Sequence, residues 1–240
     1  MTSIVFKDYD ELSEKTAAMI AEIIGKKPGA LLCFPAGETS LGTFRHLAEL
    51  NRKGAVSFRD CYIVGLDEWV NIGNMHNENC FSFLKRHLFD HIDYSPEHLC
   101  FFNGENKDLE EECRKTDSFI RDHGPIDMML LGAGMNGHLG LNEPGTPFNL
   151  YSHVVNLDET TREVGQKYFS RHAELTKGIT LGISHIMEAK TVILQLSGAR
   201  KRDVAKKVLE YEVSPAFPAS VIKSHDNSFL VMDREAAGNM

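Results

Sequence analysis

Residues 30–44 read ALLCFPAGETSLGTF. The apolar run ends at Pro35 and Gly37, and helical spacing begins at Thr39 or Ser40. A short apolar run without polar alternation, closed by Pro and Gly, fits a strand buried on both faces. A strand that passes through a glycine turn directly into a helix is the first half of a βαβ unit. If the alternation recurs, the fold is a sheet covered by helices on both sides.

It recurs along the chain. CYIVGL (61–66) predicts a strand and ENCFSFLKRHLF (78–89) a helix. LCFF (99–102) follows as a strand, then a helix carrying Leu109, Cys113, Thr116 and Ile120 at spacings of 4, 3 and 4. IDMMLLGAG (126–134), HVVNL (153–157), ITLGI (179–183), TVILQL (191–196) and SFLVMD (228–233) are further strands, with helical segments at 158–169 and 201–211. Ahead of them, Asp8 and Glu11 form a capping box for a helix to about Ile24, with Leu12, Met19 and Ile23 on one face and Gly25 and Pro28 as the stop. The first strand is therefore expected near residue 30. No repeat, low-complexity segment or linker composition divides the chain. Residues 1–240 are expected to form a single α/β domain with a doubly wound, mainly parallel sheet and helices on both faces, Rossmann-like.

Composition limits the function classes. With 42% hydrophobic and 25% charged residues, the chain is neither disordered nor fibrous. A net charge of −8 without a basic run argues against a nucleic-acid partner. No apolar run approaches the roughly 18 residues of a membrane span, and MTSIVFKDYD does not resemble a secretory signal. A cytoplasmic protein without membrane contact is expected. The five cysteines, Cys33, Cys61, Cys80, Cys100 and Cys113, are odd in number and contain no C-x-x-C, so reduced, mostly buried thiols are expected. An acidic chain that binds an anion must gather positive potential locally.

A doubly wound sheet places its chemistry in loops beyond the carboxyl ends of its strands. Three loops qualify: PAGETS (35–40), LDEW (66–69) and GAGMNGHLGLNEPG (132–145). Gly37 and the free amides of Thr39 and Ser40 can cradle a phosphate at a helix terminus. The alternative is an ordinary turn capped by Thr39, since neither a Walker A loop nor G-x-G-x-x-G is present. Asp67 and Glu68 leave a strand in opposite directions, so one faces the crevice while the other caps a helix or is solvated. A crevice carboxylate can move a proton between neighbouring sugar carbons.

The third loop is the most specific. Gly132 and Gly134 end a strand and admit positive φ or close ligand approach. His138 can act as acid or base near neutral pH, and Glu143 can hold one ring nitrogen while the other faces substrate. Lys167 sits late in the predicted helix 158–169, where a lysine is ordinarily just solvated. Lys201 follows TVILQL and the turn SGAR at a strand–helix junction on the same edge as the other loops, where it can contact a phosphate. By contrast His76, Glu78 and Cys80 in HNENC resemble only half of a zinc deaminase motif, and no P-C-x-x-C follows. No metal is expected.

Together, PAGETSLGTF, GLDEWV, LGAGMNGHLGLNEPG and GITLGISHIMEAKTVILQLSGARK resemble the glucosamine-6-phosphate deaminase (isomerase) family from about residue 10 to 235. LDEW and the closing VSPAFPASVIKSH look closest to members described as galactosamine-6-phosphate deaminase/isomerase. The resemblance implies that a 2-amino-2-deoxyhexose 6-phosphate is converted to a ketose 6-phosphate and ammonia. Asp67 would be the base between C2 and C1, and His138, oriented by Glu143, would open the pyranose ring. Gly37, Glu38, Thr39, Lys167 and Lys201 would surround the phosphate. No metal or organic cofactor is implied, and the only partner is a small-molecule sugar phosphate, bound by a monomer or small homo-oligomer.

Three departures matter. The best-studied members carry Asp where this chain has Asn136, which leaves ring opening to the His138–Glu143 pair. Their phosphate-side arginine falls at Lys167, a point charge in place of a fork. His153 and Val155 stand where activated members carry basic residues, so no activation by an N-acetylated sugar phosphate is expected. Two rivals remain: a 6-phosphogluconolactonase, which needs no amine-release base, and a sugar-phosphate-sensing module. The sensing modules carry a helix-turn-helix in front, for which one helix ahead of residue 30 leaves no room.

Overall fold

The uninterrupted apolar runs become strands whose alternate side chains enter two separate cores. Leu31 and Cys33 point into one, Leu32 and Phe34 into the other, all fully buried. Met129 and Leu131 oppose Met128 and Leu130 in the same way. Because both faces are apolar, the strands lack the polar alternation of a half-exposed sheet.

The computed structural model describes residues 1–72, 75 and 78–238. In chain order the elements are β1 (Thr2–Phe6), α1 (Tyr9–Lys26), β2 (Leu31–Phe34), α2 (Leu41–Arg52), β3 (Tyr62–Gly65) and β4 (Asp67–Val70). Next come α3 (Cys80–His87), β5 (Leu99–Cys100), α4 (Leu109–His123), β6 (Met128–Leu131), β7 (His153–Asn156) and α5 (Glu159–Gly165). The chain continues through β8 (Lys177–Thr180), α6 (Ile183–Glu188), β9 (Val192–Leu196), α7 (Arg202–Glu210), β10 (Ser228–Asp233) and α8 (Arg234–Ala237).

The main sheet has the order β1-β10-β9-β6-β2-β3-β5, and all its pairings are parallel. From β2 the chain steps outward to β3 and β5, then returns to β6 on the other side of β2. The winding direction thus reverses between β2 and β6, a topological switch point, where a crevice opens beyond the strand ends. Helices α1, α2 and α3 cover one face, and α4, α6, α7 and α8 the other. No described helix is long and apolar enough to cross a membrane.

Four expectations are corrected. Residues 2–6 form an edge strand along β10, so the first strand precedes α1 instead of following it. It is mostly exposed and short, which hid it from an apolar-run reading. LDEW is not a loop: its last three residues and Val70 form β4, antiparallel to β8 in a second sheet of order β4-β8-β7. HVVNL and ITLGI therefore leave the main sheet for this smaller one. Finally, α1 runs through Gly25 to Lys26, and Ser40 at the start of α2 makes no side-chain cap bond. Asp8 does cap α1, accepting from the amide of Glu11 at 3.0 Å. All five cysteines are free and buried.

Candidate active site

A cleft of about 1630 Å³ opens at the switch point. It is lined by Gly37, Glu38 and Thr39 after β2, Asp67 on β4, His138 after β6, and Lys167 and Lys201 from the second half of the chain. Residues 164 positions apart in sequence thus meet because two loops flank the switch point and the small sheet folds over them.

Alternation along β4 separates its two carboxylates. Asp67 lines the cleft. Glu68 is buried at 2% exposure and accepts from the amides of Trp69 and Cys80 (2.8 and 2.9 Å) and of Phe81 (3.2 Å). Cys80 and Phe81 open α3, so Glu68 satisfies free amides at a helix N-terminus, though burial outweighs these bonds and pushes its carboxyl up to about 7. Burial, and next the charges of Glu68 and Asp67, push the Cys80 thiol well above the usual thiol range. Burial, and next the Glu68 charge, push the Asp67 carboxyl up to about 7. A carboxyl poised there can both take and return a proton at neutral pH.

His138 sits against the backbone of Gly134. A Cβ at Gly134 would lie 2.3 Å from the imidazole Cε1 and 2.4 Å from Nε2. Neither Gly132 nor Gly134 has positive φ; that conformation belongs to Gly137 (φ 87°) and Gly140 (φ 58°). Gly134 is therefore needed to seat the ring, while Gly132 leaves open space beside the cleft. The ring Nδ1 lies 3.0 Å from Thr161 Oγ1 and 3.4 Å from Glu143 Oε2. No described side chain hydrogen-bonds Nε2, the nitrogen left for a ligand. The Glu143 carboxyl is buried, a raising influence, yet the neighbouring His138, Thr161 and Asn136 side chains hold it below the usual carboxylate range.

Asn136 is wired into this cluster. Its Nδ2 donates to Glu143 Oε2 at 3.0 Å and to Asp158 Oδ1 at 3.2 Å, and its Oδ1 accepts from the His138 amide at 3.2 Å. The histidine is thus supported by more than Glu143. Thr161 and Asp158 are residues that sequence reasoning passed over. Their one visible signal was Asp158 at the start of a predicted helix, and it does cap α5 through the Thr160 amide at 2.9 Å.

The anion side is equally specific. Lys201 donates to the carbonyl of Ala133 at 2.6 Å, which ties it to the end of β6. Burial, with the Lys167 charge adding to it, pushes the Lys201 ammonium down to about 8. Lys167 lies in a 3-10 turn (Gln166–Tyr168) just past α5 and binds Glu38 Oε2 at 2.6 Å. The amides of Gly37, Glu38 and Thr39 have no intramolecular acceptor among the described residues, and Arg200 also lines the cleft. Of the zinc-like stretch, His76 lies outside the described residues. Glu78 Oε2 accepts from the Ser170 amide at 3.0 Å, and Cys80 faces Asp67 and Glu68.

Known proteins resemble this chain throughout. The family model described as Glucosamine-6-phosphate isomerases/6-phosphogluconolactonase matches residues 8–231. The chain is 43% identical over 237 residues to the glucosamine-6-phosphate deaminase of Bacillus pumilus (strain SAFR-032), covering 98% of each. It is 38% identical over 230 residues to glucosamine-6-phosphate deaminase 1 of Bacillus subtilis (strain 168), covering 95% of each. Among solved structures, a monomeric glucosamine-6-phosphate deaminase matches with a TM-score of 0.96 at 36% identity over 100% of both chains. The 6-phosphogluconolactonase from Trypanosoma brucei matches with a TM-score of 0.74 at 21% identity, covering 100% of this chain and 98% of that one, a likeness of fold alone. With the matching loops gathered around one cleft, the chain belongs to the glucosamine-6-phosphate isomerase/6-phosphogluconolactonase family.

Proposed function

We propose that this chain is an amino-sugar-phosphate deaminase that converts glucosamine 6-phosphate to the ketose 6-phosphate with release of ammonia. The observation that carries the reading is a carboxyl poised near neutrality, Asp67, in the same cleft as an imidazole with a free Nε2, His138. Lys167, Lys201 and the amides of Gly37, Glu38 and Thr39 hold the phosphate, and Glu38 must release Lys167 for it. The relatives' shared activity supports the same substrate class.

His138 moves a proton between the anomeric hydroxyl and the ring oxygen, which breaks the C1–O5 bond and leaves an open-chain aldose. Glu143 and Thr161 keep Nδ1 engaged, so Nε2 stays aimed at the ring oxygen. Asp67 then takes the proton from C2, and a C1–C2 double bond forms an enolamine. The proton returns at C1, giving a ketimine at C2. Water adds to that carbon and the C–N bond breaks, so ammonia and the ketose phosphate leave. A lactone hydrolase has no use for a base at C2, which sets Asp67 against that alternative.

The test offers glucosamine 6-phosphate, galactosamine 6-phosphate and 6-phosphogluconolactone separately, following ammonia and ketose phosphate. Ammonia from glucosamine 6-phosphate is the expected result. Ammonia from the galacto epimer alone would correct the substrate, and none from either amino sugar would overturn the proposal.

A further inference from the structure

We propose that Asp158 is a positioning residue for His138, acting through Asn136 and through the first turn of α5. This rests on the reading of His138 as the ring-opening group. Asn136 Nδ2 carries two hydrogens, and each has a carboxylate oxygen to meet: Glu143 Oε2 at 3.0 Å and Asp158 Oδ1 at 3.2 Å. Turning the amide over would set its carbonyl against both carboxylates, so its orientation is fixed by charge on two sides. That orientation leaves Asn136 Oδ1 to accept the His138 amide at 3.2 Å.

Asp158 makes two further contacts with the same cluster. Its own amide donates to Glu143 Oε1 at 3.2 Å, so both Glu143 oxygens are held, one by Asn136 and one by Asp158. Its side chain also accepts from the Thr160 amide at 2.9 Å, which caps α5 and sets the turn that brings Thr161 Oγ1 within 3.0 Å of His138 Nδ1. One residue thus fixes both groups that touch Nδ1. An amide is required between the carboxylates, because an ionised side chain at 136 would face Glu143 and Asp158 with a like charge.

The experiment compares Asp158→Asn, Asn136→Asp and the double variant, each checked by thermal melting. Asn caps helices about as well as Asp, so Asp158→Asn removes the charge and spares the cap. In the wild-type background it is expected to lower kcat about tenfold. Inhibition by the reduced, open-chain amino-sugar alcohol phosphate, which has no ring to open, should change by less than about twofold. In the Asn136→Asp background the sign reverses: adding Asp158→Asn removes one repulsive carboxylate and should raise kcat several-fold. The same sign in both backgrounds, or an unchanged kcat for Asp158→Asn, would overturn the proposal. If Asn136→Asp does not fold, the split between kcat and inhibitor binding for Asp158→Asn decides alone. His138→Asn separates the two readings. Wild-type turnover there would remove the role given to His138, whereas an inactive His138→Asn beside a normal Asp158→Asn sinks only the role of Asp158.

Discussion

The carboxyls of Asp67 and Glu68 are one residue apart in the chain and on opposite faces of β4. Asp67 lines the cleft, while Glu68 turns inward and accepts the amides of Trp69, Cys80 and Phe81. The pair divides one acidic stretch of β4 into a cleft-facing group and a helix anchor. The raised Asp67 carboxyl follows from this arrangement, since burial and the Glu68 charge act together on it.

Asp67→Asn is expected to lower kcat by about a thousandfold or more, because a positioned general base contributes up to roughly 10⁴. Binding of the open-chain amino-sugar alcohol phosphate should survive. In the wild type, kcat/KM should fall as pH drops through about 7, where Asp67 takes up its proton. A rate that stayed flat from pH 8 to 5.5 would contradict Asp67 as the base.

The same shift sets a stability cost. The folded Asp67 carboxyl titrates at about 7, against an ordinary value of 3.8. Between those values the native state binds more protons than the unfolded one, so stability falls as pH rises across that window. Asp67→Asn removes the effect and should stabilise the protein at pH 8 by about 1–3 kcal/mol, with the gain vanishing below pH ~4. Urea melts of the two proteins at both pH values provide the check.

Glu38 is bound to Lys167, a cation proposed to hold the phosphate. Glu38→Gln should therefore lower KM about two- to fivefold and leave kcat unchanged. Lys201→Met should raise KM by at least about tenfold, since it removes a charge-assisted contact. As the Lys201 ammonium is pushed down to about 8, KM of the wild type should climb above that pH. Steady-state kinetics from pH 7 to 9.5 test all three.

Gly134 holds the imidazole on its bare face. Gly134→Ala puts a methyl 2.3 Å from the ring, so His138 must shift. A misplaced acid–base group of this kind should lower kcat by about ten- to a hundredfold. Gly132→Ala, with nothing within 4 Å of the added Cβ, should keep an unmoved ring and a correct fold by comparison, which His138 ring NMR shifts in the two variants would report.

Much of this site was legible in the order of the residues. Gly37, His138 and Lys201 could be picked out as cleft residues because a doubly wound sheet gathers its chemistry in loops beyond strand ends. Asp67 instead reaches the cleft on strand β4, and Lys167 from a turn past α5. Asp158 and Thr161 were not legible in that order. Each is an unremarkable polar residue at a helix start, and its partner lies 22 or 23 positions away across the cleft. The strand at residues 2–6 was missed for the opposite reason: at a sheet edge, pairing needs no apolar run.

The sequence by itself determined which segments could be strands and helices, because burial on two faces demands uninterrupted apolar runs and glycines mark their ends. It also settled which residue types were present to move protons and hold an anion. Only the tertiary structure decided how those groups were used. It put Asp67 in the cleft and Glu68 in the core, turned Gly134 into the seat of an imidazole, and joined Asn136 to a second carboxylate. The reason is physical: identity lies along the chain, whereas the environment that sets a group's charge and aim comes from neighbours that only folding brings near.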